Sequence, residues 1–156
     1  MIIIKEARDS WYKKLLTKQE FYDFVVKSLT GQFGKDDQKA WVGNVTSEAA
    51  ARIKNVCKQN VYHIMVGSSK LFHAYRKVAH HLLKNDIFHL VDVINTTHDI
   101  KESAKRSISE PNVTALKFVA DINGNLEFVV LVRVSKKYKG WLDMIDCYRE
   151  RKVKDA

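Results

Sequence analysis

The stretch from Leu71 to Lys84, LFHAYRKVAHHLLK, concentrates the side chains best suited to chemistry. Read as a helix, it lines up His73, Arg76, Lys77, His80 and Lys84 at i, i+3, i+4, i+7 and i+11. Two imidazoles that change charge near neutral pH, set among three cations, form a group able to hold and cleave a phosphodiester. The same face reads equally as a solvated basic surface. The opposite side, Tyr75, Val78, Ala79, Leu82 and Leu83, follows the helical spacing i, i+3, i+4, i+7 and i+8 and is expected to anchor in a core.

All six histidines fall between His63 and His98. No HExxH and no His pair at i, i+4 occurs, and Cys57 and Cys147 match no ligand spacing, so no metal is expected. His81, His89 and His98 read as solvated, and His63 as a mid-strand residue as open to a structural role as to a functional one. Lys117 and Arg133 each interrupt an apolar run with a cation. Each either snorkels at a sheet edge or, if both face the helix carrying His73, completes a basic concavity. Tyr148 and Arg149 close the last apolar run, where a phenol and a guanidinium can contact a phosphate or stack on a base. The absence of a P-loop, a GxGxxG string and a serine nucleophile elbow argues against nucleotide hydrolases and dinucleotide enzymes, and no cofactor is expected.

The elements that must position these residues change character along the chain. Thr17-Lys18-Gln19-Glu20 has the form of a capping box, followed by a stripe of Phe21, Phe24, Val25, Ser28 and Leu29 and a stop at Gly31. Residues 1–16 suggest a short strand and a helical turn, and Gly31 to Gly43 a polar loop from which Trp41 returns to the core. A second helix is expected after Thr46 or Ser47, burying Ala49, Ile53, Val56 and Cys57. Val61 to Val66 reads as a strand, with Ser68 or Ser69 capping the basic helix. Asp86 is expected to start a short helix burying Ile87, Leu90, Val91 and Ile94, and residues 95–112 to form a long loop. Val113 to Asp121, Leu126 to Val134 and Trp141 to Tyr148 then read as three strands, the first two joined by an Asn123-Gly124 hairpin turn. The expected class is α+β, with N-terminal helices packed on a C-terminal antiparallel β-meander.

A chain of 156 residues, 46% hydrophobic and 29% charged, is long enough for one cored domain. Its formal charge of +9 favours polyanionic partners, nucleic acid first. The two distant cysteines read as reduced thiols of a cytoplasmic protein. The apolar start MIII is too short for a signal-peptide core, and no run approaches the length of a membrane span.

Taken in order, Tyr62-His63-Ile64, His73-Ala74-Tyr75-Arg76-Lys77, Leu116-Lys117-Phe118, Val129 to Arg133 and Tyr148-Arg149 resemble a known pattern. It is that of the phage-associated nuclease domains of the barnase–EndoU–colicin–RelE-like superfamily, found in phage head-morphogenesis proteins and polymorphic toxins. The resemblance covers roughly residues 45–150, so the nuclease-like domain is expected over 45–156, with residues 1–44 as an N-terminal extension packed on it. The chain departs from the family pattern where Val78-Ala79 precede His80 and where Asp146-Cys147 precede Tyr148.

What the resemblance implies is a metal-independent ribonuclease acting in the cytoplasm of a bacterium or a phage-infected host. His73 would be the base that takes the 2′-OH proton and His80 the acid or its partner. Lys77 and Tyr148 complete the catalytic set, and Arg76, Lys117, Arg133 and Arg149 hold phosphate. Its partners would be RNA and a cognate acidic inhibitor protein, with no membrane. The rival class is a non-catalytic basic module that binds nucleic acid or an acidic protein.

Overall fold

The computed structural model describes residues 14–103 and 115–152. Helices α1 (Lys18–Leu29), α2 (Ser47–Cys57), α3 (Ser68–Arg76), α4 (Lys84–Ile87) and α5 (Leu90–Thr96) accompany strands β1 (Lys39–Asn44), β2 (His63–Gly67), β3 (Lys101–Ser103), β4 (Ala115–Asn123), β5 (Leu126–Val134) and β6 (Trp141–Arg151). The strands form one mixed sheet in the order β1-β2-β6-β5-β4-β3, antiparallel except for the parallel pair β2–β6. The class is α+β. The meander β4-β5-β6 occupies the C-terminal third, and β2 and β1 extend it on one side.

The capping box of α1 forms as its residues dictate. The Glu20 N–H donates to Thr17 Oγ1 and the Thr17 N–H to Glu20 Oε1. The N-cap bond draws the Glu20 carboxyl below its ordinary range. Thr46 caps α2 through Ala49, and Ala49 and Ile53 are buried beneath it while Val56 and Cys57 are half-buried. Helices α3 and α5 lie on the sheet, with α1 against α3 and α2 against α5. Their apolar sides, including Leu71, Leu90 and Ile94, meet Ile64, Val66, Phe118, Val130 and Met144 in one core.

Several expectations need correction. The region from Gly31 to Gly43 is not loop throughout, because Ala40 and Val42 are buried along β1, which pairs with β2. Residues 95–112 are likewise interrupted by β3, paired with β4, and residues 104–114 lie outside the described residues. The strand and turn expected in residues 1–16 lie largely outside them too. The helix expected from Asp86 is two helices, α4 and α5. Neither serine caps α3 with its side chain. The Asp37 carboxylate accepts from the Ser69 N–H at 3.1 Å, and Ser68 Oγ accepts from the Gln38 N–H at 2.9 Å.

Gly43 sits at a bulge of β1 where α5 crosses closely. A methyl group there would stand 2.6 Å from Val91 Cγ1 and 2.7 Å from Cγ2. Val is stiff at this branch, so Gly43→Ala is expected to cost about 1–3 kcal/mol by overpacking, measured in urea. The added substitution Val91→Ala should recover part of that loss. Equal stability of Gly43→Ala and the parent would show that α5 can shift freely.

Candidate active site

The basic helix does not run to Lys84. It stops at Arg76, Lys77 is extended (φ −73°, ψ 109°), and Val78–His80 form a 3₁₀ turn ending at His81 with φ 49°. Of the five residues expected in the apolar stripe only Leu82 is buried, while Val78 is 86% exposed. The cause lies in the last turn of α3. In a continuing helix the Ala74 carbonyl would accept from the amide of residue 78. Here the His80 ring takes that role, with Nδ1 3.1 Å from the Ala74 oxygen. A carbonyl only accepts, so Nδ1 carries the hydrogen and Nε2 is the basic nitrogen of the neutral ring.

This break separates the two histidines that the helical spacing aligned. His73 is exposed and lines a cavity of about 280 Å³ with Lys35, Ser69 and Phe72, beside the turn after α1. Arg76 stays with it, its guanidinium 5.1 Å from the Phe72 ring centroid. Lys77 is exposed on the extended link. His80 instead packs on β6, its ring 5.3 Å from that of Tyr148 and its Nδ1 3.8 Å from Asp146 Oδ1.

Strand β6 presents these partners because it is bulged. Val132 pairs with Met144 but Leu131 pairs with Asp146, so one extra residue, Ile145, is accommodated. The alternation inverts beyond it. Leu142 and Met144 face the core before the bulge, and Cys147 faces it afterwards. Asp146 and Tyr148 therefore share the other face with Leu131 and Val129. Burial and the charges of Glu150, Asp146 and Glu127 push the Tyr148 phenol up to about 12, so it stays protonated and can donate. The Cys147 thiol, buried and next to Asp146, is pushed upward still further and is inert as a nucleophile.

Two of the expected phosphate ligands lie on the face that holds this cluster. Lys117 pairs across the sheet with Leu131, which pairs with Asp146. Two strand spacings put its Cα roughly 10 Å from that of Asp146. Its Nζ is 3.0 Å from Glu150 Oε1. Arg133 lies one row away, Nη2 3.3 Å from Asp143 Oδ2, a carboxylate that also takes Lys39 at 3.1 Å. Arg149 faces the other way and makes a two-bond ion pair with Asp86 of α4, at 2.7 and 2.8 Å. It is a structural cation.

The chain matches no protein-family model, no characterised protein and no solved structure.

Sequence reasoning missed Asp146, Asp143 and the partner of Arg149. Asp143 and Asp146 carried a signal, since each carboxylate interrupts the apolar run of Trp141, Leu142, Met144, Ile145 and Cys147. No group of His, Cys, Asp and Glu among the described residues is arranged to hold a metal ion. No described helix is long and apolar enough to cross a membrane.

Beside the cluster, Glu127 and Glu150 stand directly opposite on β5 and β6. Burial, a hydrogen bond donated by the protonated Glu127 carboxyl to Glu150, and the charge of Glu150 raise the Glu127 carboxyl, against the pull of Lys117 and Lys152. The folded chain then holds this proton more tightly than the unfolded one. The contribution to stability is full below the ordinary carboxylate range and declines as pH rises through the raised value. Glu127→Gln should be the more stable protein at neutral pH, by up to about 1 kcal/mol, and the gap should close in acid. Urea unfolding across pH checks this, and a gap that widens in acid would contradict it.

Proposed function

We propose that this protein is a metal-independent ribonuclease, of the kind its sequence pattern resembles, with His80 rather than His73 at the centre of the reaction. The observation that carries this reading is the His80–Asp146–Tyr148 cluster, with Lys117 on the same face of the sheet. Nδ1 of His80 is held by the Ala74 carbonyl beside the Asp146 carboxylate, which stabilises the imidazolium that forms when Nε2 takes a proton. In the reaction Nε2 removes the proton of a ribose 2′-OH and the oxygen attacks the adjacent phosphorus. The bond to the 5′ oxygen breaks, and the protonated Tyr148 phenol supplies a proton to that leaving oxygen. Lys117, on the same face of the sheet, would supply the cation that lowers the barrier as negative charge builds on the phosphate.

The proposed setting is a reducing cytoplasm, consistent with Cys57 and Cys147 being free thiols. The partner that goes with this reading is an acidic protein that would cover the site and restrain the enzyme. The test is incubation of the purified protein with total RNA in EDTA. Cleavage to products with 2′,3′-cyclic phosphate ends is expected. Intact RNA that the protein nonetheless retains in a salt-sensitive manner would instead favour the non-catalytic module.

A further inference from the structure

A basic surface lies at the end of β6 away from the His80 cluster. The last turn of α2 and the β5–β6 turn enclose an open cavity of about 420 Å³, lined by Lys58, Asn60, Tyr62, Ser135, Lys139 and Gly140 among others. None of its described lining residues is acidic, and the exposed Lys136 and Lys137 extend it along the turn. From Gly140 to Tyr148 is eight residues of strand, roughly 25 Å, so this is not the His80 cluster.

Its distinguishing feature is Tyr62, a large side chain left 57% exposed. The residue is held firmly, because its N–H donates to the Gly140 carbonyl at 2.7 Å and its carbonyl accepts from Val45 at 2.9 Å. The ring lies against Gly140, where any Cβ would stand 2.8 Å from Tyr62 Cδ2 and where φ is +84°. Glycine thus serves two needs, a left-handed turn and a bare floor under the aromatic ring. The result is a supported ring with an exposed surface, ringed by lysines and a side-chain amide.

We infer that this surface binds single-stranded nucleic acid, with one base stacked on Tyr62 and the backbone neutralised by Lys58 and Lys139. A supported aromatic ring beside cations, with no carboxylate among the described lining residues, suits a chain with exposed bases and phosphates. A duplex hides its base faces and would be held by charge alone. An acidic protein would meet the lysines but leave the ring without a stacking partner. This inference goes beyond the proposed cleavage and does not depend on it.

The experiment is fluorescence anisotropy of the full chain with labelled oligonucleotides of about ten residues, a length within the usual single-strand site. The probes are 2′-O-methyl oligouridine, which cannot be cut through its 2′ oxygen, single-stranded DNA of the same length, and a duplex. Either single strand should bind more tightly than the duplex, and the tighter of the two identifies the nucleic acid. Tyr62→Ala should weaken single-strand binding about tenfold, and Tyr62→Phe should restore it. Lys58→Gln with Lys139→Gln should lower the salt slope by about 1.4. Undiminished affinity in Tyr62→Ala, equal duplex binding, or no saturable binding overturns the inference. Thermal melting of Tyr62→Ala separates lost stacking from lost folding. The probe is uncleavable, so failure here leaves the outcome at His80 untouched, and the reverse.

Discussion

Replacing His80 with Ala is expected to slow RNA cleavage by about 10²–10⁴-fold, the usual contribution of a positioned acid–base group. His73→Ala should stay within a few-fold of the parent. The contrast follows from where the two rings sit. His80 touches the Tyr148 ring and lies 3.8 Å from Asp146, whereas His73 lines a separate cavity with Lys35 and Phe72. His80 also closes the end of α3 through the Ala74 carbonyl, so its loss has a structural component. Binding of an uncleavable RNA and the melting temperature should be measured beside the rate. A rate that falls while both persist locates the defect in the chemistry, and added imidazole should then restore part of it. If His80→Ala cuts RNA at the parent rate, the mechanism is wrong. If His73→Ala alone abolishes cleavage, the reaction belongs to the α3 face instead. Tyr148→Phe, which keeps the ring contact and removes the proton, should lower the rate in the same direction.

The largest expected effect on stability comes from Asp86. Its side chain is 11% exposed and that of Arg149 18%, and two short hydrogen bonds join them between α4 and β6. Asp86 also accepts from the Leu83 N–H at 2.9 Å, fixing the start of α4. Asp86→Ala leaves a guanidinium largely removed from water with no counter-charge from this residue. Breaking such a pair typically costs about 3–5 kcal/mol. For a chain of this size that is a fall in melting temperature of roughly 6–20 °C, read by calorimetry. The paired change Asp86→Leu with Arg149→Met removes both charges together and should be far milder than Asp86→Ala alone. A fall of only a degree or two in Asp86→Ala would show that Arg149 is well solvated and available to a ligand.

Legibility in the sequence followed how local each determinant was. The α1 capping box, the α2 cap at Thr46 and the Asn123-Gly124 turn were readable because their partners lie within a few residues. The apolar run of β5 could be read for the same reason, since all its neighbours in space need only be apolar. The basic stretch misled because helical spacing describes an ideal helix and cannot register that a side chain has displaced a backbone partner. His80 does this at Ala74, and the stripe of Tyr75, Val78 and Leu83 is then left exposed.

By itself, then, the sequence determined the α+β class, the basic excess and the set of side chains with reactive groups. Each is a matter of composition or of contacts close along the chain. Which of those groups meet was decided only by the tertiary structure. The bulge at Ile145 inverts the alternation of β6 and turns Asp146 and Tyr148 to one face and Arg149 to the other. The parallel pairing of β2 with β6 joins segments far apart in the chain. A strand's alternation does not reveal where it slips by one residue, because the slip is set by its neighbours across the sheet. That single residue is why Tyr148 stands beside His80, while Arg149, expected to bind phosphate, braces α4.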